Sequence, residues 1–180
     1  ANYIAFSLKE KFKILYKGKN NFVAHECILD FRDLKQSSGL GVNDIAKRLI
    51  DYCFHAPTIS WPVAETMMIE PTESESLKEI DRFCEAMLSI GDEILEIKNN
   101  IFPRNNNLIS NAPHTLKELI IEQWDRPYSR EMAAYPNKIK SYNKYWSPVS
   151  RINNAYGDRN LVCSCRFDND ENLIEEKKCA

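Results

Sequence analysis

The residues best suited to chemistry in this chain lie between His55 and Ser76, in HAPTISWPVAETMMIEPTESES. Histidine can hydrogen-bond a carboxylate or shuttle a proton near neutral pH. Pro57 and Pro62 each remove a backbone donor and push the preceding residue towards extended geometry, so His55 and Thr58 sit in a stiffened loop. Thr66-Met67-Met68-Ile69 is long enough for one buried strand and too short for a helix. Thr72, with Glu75 three residues on, makes a capping box, and Glu73 and Glu75 suit the positive end of a helix dipole. Loop, strand and capped helix in quick succession predict an α/β layer, and polar residues at the strand ends fall where such layers place ligands.

Two other places carry reactive types. Cys163 and Cys165 form C-x-C, and alternate residues of a strand point the same way, so a shared metal is conceivable. No second thiol or His pair lies at zinc-finger spacing, so no metal is expected; a redox-sensitive thiol pair or ordinary reduced thiols are the remaining readings. His25 and Glu26 interrupt an apolar run and face either the polar side of a sheet or the edge of a site.

The elements that would position these residues follow from the pattern. Tyr3, Ile4 and Leu8 read as the end of a helix. Phe12–Tyr16 and Phe22–Phe31 read as strands joined by a turn at GKNN, a hairpin. Residues 34–41 are a turn-rich link. Asn43 caps a helix running to about Phe54, with Ile45, Leu49, Ile50 and Cys53 on the apolar face and Lys47, Arg48 and Asp51 on a solvated one. A long helix spans about Glu73 to Lys98, its stripe from Leu77 to Ile94 facing the core, with Cys84 as a small buried hydrophobe. Residues 99–113 read as loop, and Leu116–Gln123 as a shorter helix. Beyond Trp124 the chain is rich in Tyr, Trp, Pro, Arg and Asn, with little periodicity. Trp124, Tyr128, Tyr135, Tyr145, Trp146 and Tyr156 are too many apolar bodies to leave in water. Another part of the protein or a second subunit is expected to receive some of them. The division expected is residues 1–123 as an α/β small domain (1–11 the end of a helix), 124–167 as an irregular aromatic-rich wrap and 168–180 as a charged, flexible tail.

At 180 residues the chain suits one domain with a real core, and a net charge of −2 implies no polyanion such as nucleic acid as a partner. No apolar run approaches the roughly 20 residues needed to cross a bilayer. The opening ANYIAFSLKEKF has neither an initiator Met nor a signal-peptide layout, which fits a fragment better than a natural N-terminus. Six cysteines at irregular spacing read as reduced thiols rather than a disulfide framework.

YCFHAPTISWPVAETMMIEPTESES closely resembles the C-terminal region of the glycine decarboxylase P-protein family, the pyridoxal-phosphate component of the glycine cleavage system. The likeness continues through VAHECILDFRDLK and DIAKRLIDY upstream, and APHT, WDRPYSRE, YWSPVSRINNAYGDRN and LVCSC downstream. It covers roughly Ala1 to Cys165, and many motifs in order make it specific. Cys53 and Glu65 depart from the pattern, each standing where the family usually has Gly. Where such a backbone needs a positive φ, a side chain there brings strain of about 1 kcal/mol or more.

The resemblance implies the C-terminal small domain of a fold-type I pyridoxal-phosphate enzyme, of α/β (α+β) class, with an irregular C-terminal extension and with the helix that ends at 1–11 begun upstream. The lysine that forms the Schiff base is then expected upstream, with no catalytic residue in this chain, which is expected to be inactive alone and to contribute a wall of the site. His55, Thr58, Glu70 and Thr72 are the wall candidates it implies, although capping already explains Thr72 and bracing of the loop explains His55. Arg126, Arg130, Arg151 and Arg159 match family motifs and are natural clamps for an anion, Arg130 and Arg159 foremost. The plainer reading pairs them with Asp125, Glu131 or Asp158, and gives Gly157 a tight turn. The implied partners are the upstream large domain, a lipoylated H-protein and a second copy in a homodimer, in a bacterial cytoplasm or a mitochondrial matrix. A non-catalytic interaction module and a fragment of another fold-type I amino-acid decarboxylase are the alternative readings.

Overall fold

The computed structural model describes residues 1–138 and 144–162. Its centre is an antiparallel sheet of four strands, ordered β1-β2-β4-β3, covered by helices. β1 (Lys13–Leu15) and β2 (Cys27–Asp30) form the predicted hairpin, with Lys13 opposite Asp30 and Leu15 opposite Ile28. β2 is shorter than its apolar run suggests. The N–H and C=O of Val23 are both taken by the Asn2 side chain, at 2.8 and 2.9 Å, so that part of the run is tied to α1 (Asn2–Leu8) and not to the sheet. β4 (Thr66–Ile69) is the predicted buried strand and pairs with β2. A two-residue strand, β3 (Thr58–Ile59), forms inside the Pro-rich loop and pairs with β4. The mixture of helices with a small sheet matches the expected α+β class. Because every pairing is antiparallel, however, the rule that puts ligands at the carboxyl ends of parallel strands does not apply here.

The core lies between one sheet face and the helices. Cys27, Leu29, Met67 and Ile69 alternate onto that face, against Phe83, Met87, Ile90, Ile94 and Ile97 of α4 (Leu77–Lys98), Ile4 and Leu8 of α1, and Ile45 and Leu49 of α3 (Val42–Asp51). Cys84 is buried among them, as its place on the stripe predicts. Burial pushes the Cys27 thiol up to about 11 and raises that of Cys84, which leaves both as unreactive thiols.

Several boundaries differ from the sequence reading. α4 starts at Leu77, where the Ser76 hydroxyl accepts from Glu79 N–H at 3.3 Å. Thr72 caps nothing; its hydroxyl meets that of Ser74 at 2.8 Å, and its carbonyl closes a turn with Glu75 N–H. PTESESLKE holds two S/T-x-x-E matches, and the one adjoining the apolar stripe forms the cap. The link at 34–41 is largely α2 (Arg32–Ser38), whose serines bond back to carbonyls one turn earlier and which Gly39 ends at φ 78°. α3 is capped not by Asn43 but by Asp44, whose carboxylate accepts from Gly41 N–H at 2.8 Å. α5 (Leu108–Asn111), capped by Asn107, interrupts the expected loop. α6 (Leu116–Ile120) opens on a Thr115–Glu118 capping box. α7 (Arg130–Ala134) and α8 (Asn154–Arg159) follow; Gly157 lies within α8 and makes no tight turn. Tyr128 is buried in a second cluster with Leu108, Leu119, Ala133 and Ala134, against which Trp124, Tyr135 and Trp146 pack half-buried. Tyr145 and Tyr156 stay exposed.

Candidate functional site

The loop after α3, the end of β4 and the start of α4 enclose a cleft of about 440 Å³. His55, Thr58 and Glu70 all line it, over an apolar floor that includes Phe54, Met68, Ile80 and Phe83. His55 and Thr58 are exposed to solvent. Glu70 Oε1 lies 3.7 Å from His25 Nε2 on the surface, so His25 and Glu26 belong to the rim outside β2. Thr72 is exposed and lies outside the lining. Arg82, which the sequence reading passed over, forms one wall. Its guanidinium is 3.7 Å from the centre of the Phe54 ring, pairs with Glu79 at 2.8 Å and donates to the Tyr52 carbonyl at 3.3 Å.

Beneath this loop lies a buried polar network. Arg48 and Asp51 do not form a solvated face: they are 0% and 2% exposed. Glu93 on α4 and His114 supply the partners that make their burial tolerable. Arg48 grips Glu93 at 2.6 and 2.9 Å and Asp51 at 2.9 Å. The Tyr52 hydroxyl joins Glu93 to Ser89. Asp51 accepts from His114 N–H and meets His114 Nδ1, both at 2.8 Å. A carboxylate only accepts, so Nδ1 carries a proton; Nε2 meets the Tyr128 hydroxyl at 2.9 Å, and that hydroxyl oxygen takes Asn111 Nδ2–H at 2.9 Å. Burial alone would raise the Asp51 pKa, but the His114 hydrogen bonds and the Arg48 charge hold it below its ordinary value. Burial likewise opposes the Arg48 charge, and Glu93 more than offsets it. This network fixes the end of α3 and the loop that starts there. His114, in APHT, was missed as a member of this network; a histidine set between Pro113 and Thr115 was the available signal.

The arginines divide. Arg126 pairs with Glu118 at 2.9 Å, and Arg151 holds Asp44 at 2.6 Å together with the carbonyls of Ile109 and Ala112. The nearby Asp125, Glu131 and Asp158 are therefore not their partners, because packing brings carboxylates from other elements closer. Arg130 donates to the carbonyls of Ile121 and Glu122 at 2.7 and 3.0 Å. Arg159 is exposed on α8. Cys163 and Cys165 lie outside the described residues. Among the described residues no group of His, Cys, Asp and Glu could hold a metal ion, and no helix is long and apolar enough to cross a membrane.

Residues 1–114 match the family described as glycine dehydrogenase, C-terminal domain. The chain belongs to this family. It is 56% identical over 165 residues to the glycine dehydrogenase (decarboxylating) of Vibrio vulnificus. It is 60% identical over 165 residues to that of a strain of Prochlorococcus marinus and 59% to that of Rhizobium etli. Each alignment covers 92% of this chain and 17% of the relative, so the chain spans about a sixth of the length of the glycine dehydrogenases it matches.

Cys53 and Glu65, where the resemblance leads one to expect Gly, sit in left-handed backbone at φ 63° and φ 57°. The Glu65 carboxylate takes Val42 N–H at 2.9 Å and Lys35 at 2.7 Å. It thereby serves the start of α3 where Gly41, lacking a Cβ, leaves room for it. Cys53 Sγ accepts from Tyr145 N–H at 3.2 Å, while Lys144 donates to the Asp51 carbonyl. Pyridoxal phosphate, the cofactor of this family, needs a lysine amine and a cradle for its phosphate. The cleft lining offers Glu70, Glu75, Glu79, an Arg82 already paired with Glu79, and no lysine. Such a lining does not fit an anionic aldehyde held covalently.

Proposed function

We propose that this chain forms one wall of the catalytic site of a full-length glycine dehydrogenase (decarboxylating), to which it contributes the cleft beside His55. The observation that carries the reading is the 56–60% identity to such enzymes over 165 residues. Pyridoxal phosphate, held by a lysine outside this chain, would supply the electron sink for loss of carbon dioxide from glycine. His55 and Thr58 hydrogen-bond and orient what reaches the cleft, and the apolar floor under them excludes water. On this reading the lipoyl arm of H-protein would be the acceptor, and a wall built from loops suits a channel that admits a tethered arm. The upstream large domain, H-protein and a second copy are the partners on this reading, in a bacterial cytoplasm or a mitochondrial matrix. Arg130 and Arg159 remain the anion-binding candidates. The test is glycine–bicarbonate exchange by the full-length protein. His55→Ala should lower kcat/KM by about 10-fold, the worth of one hydrogen bond to a charged group. Unchanged kinetics would reduce His55 to a brace, and no exchange from a folded full-length protein would sink the reading.

A further inference from the structure

A second cavity, of about 420 Å³, opens between α6, α7 and the segment carrying Trp146. Leu116, Leu119, Ala134, Tyr135 and Trp146 make most of its lining, which Arg130 and Glu131 complete, although no ion pair joins these two. Three features coincide there. The cavity is walled by large apolar groups. α6 and the residue after it leave Ile120 72% and Ile121 51% exposed, and adjacent branched apolar side chains are seldom left bare without a partner. Finally, Arg130 Nε is buried with no hydrogen-bond partner, the one such side-chain atom among the described residues. Arg130 also makes no ion pair with a carboxylate among the described residues; its outer nitrogen serves two carbonyls while its face rests 5.3 Å from the Trp124 ring. A buried donor without an acceptor points to an acceptor that arrives from elsewhere.

We propose that this surface seats the remainder of the same polypeptide in the full-length protein. An apolar side chain of that remainder fills the cavity beside Trp146 and Leu116, and a carboxylate next to it takes the Arg130 guanidinium. The inference rests on the reading that this chain is the C-terminal part of a longer enzyme. The occupant follows from charge and from length: Arg130 calls for an anion, and the relatives extend far beyond the 17% matched here.

The experiment is maleimide labelling of Ile120→Cys in the full-length protein, followed site by site by mass spectrometry. Labelling in the native protein should be at least about 10-fold slower than in denaturant, as for a buried interface position. Adding Leu116→Glu, at a position already half exposed, should restore fast labelling by placing an unpaired carboxylate in the contact. Fast labelling of the native protein at every concentration would overturn the proposal. Protection that fades on dilution to monomer, or appears only when another protein is added, would overturn it in favour of a second copy or a separate partner. Glycine exchange is read in parallel. A protected but inactive protein sinks the catalytic reading alone, and an active but unprotected one sinks this surface alone.

Discussion

Cys53 and Glu65 pose the same backbone problem and meet it differently. Both lie at positive φ, where a Cβ crowds the following carbonyl at a cost of about 1–2 kcal/mol. Glu65 offsets this cost in full or more, because its carboxylate receives Val42 N–H and pairs with Lys35. Cys53 gains only a weak sulfur acceptor for Tyr145 N–H. Cys53→Gly should therefore stabilise the chain by about 1 kcal/mol, whereas Glu65→Gly should leave it unchanged or weaken it. Urea midpoints of the two variants decide the matter, and equal gains would show that the Glu65 contacts contribute nothing. These positions were legible in sequence only through the expectation that the family carries Gly there. Arg48, Asp51 and His114 were not legible. On a helical wheel the first two fall on a polar face, and only the packing of Glu93 and His114 against them turns that face inward.

Among the elements, strands and the long helix were readable because their apolar spacing is set by the core they share. Phe83, Met87, Ile90, Ile94 and Ile97 recur every three or four residues and meet Met67 and Ile69 across the layer. Short helices such as α2, α5 and α8 were not readable, since four to seven residues give too little periodicity and side-chain caps decide them. The start of α4 is the sharpest case, because local chemistry offered two caps. Ser76→Ala should cost about 1 kcal/mol, the usual worth of an N-cap, and Thr72→Ala should fall within about 0.5 kcal/mol of no effect. Thermal or urea unfolding of both variants tests the assignment; a larger loss at Thr72 would place the helix start where the first capping box predicted it.

Across the whole molecule, carboxylates held in their charged form brace the elements, most of them by pairing with a different element, which sets how the fold responds to acid. Hydrogen bonds from Arg32, and beside it Lys13, hold Asp30 on β2 well below the usual carboxylate range. The His114 bonds and Arg48 do the same for buried Asp51, Lys35 and Val42 N–H for Glu65, and Arg82 for Glu79. Each of these groups binds its proton more weakly folded than unfolded. Its stabilisation is therefore fully present above the unfolded value of about 4 and is lost as pH falls through the lower folded value. Glu96 acts in the opposite sense: burial and its neighbours Glu93 and Asp92 raise its pKa, so protonation relieves it. Four groups against one set the sign. The urea midpoint should stay level from about pH 7 to 5 and fall steadily below about pH 4. Asp30→Asn should lower the midpoint at neutral pH yet flatten its fall in acid, because the group that responds to protons has been removed. A wild-type midpoint that held constant down to about pH 2.5 would mean that these pairs do not hold the layers together.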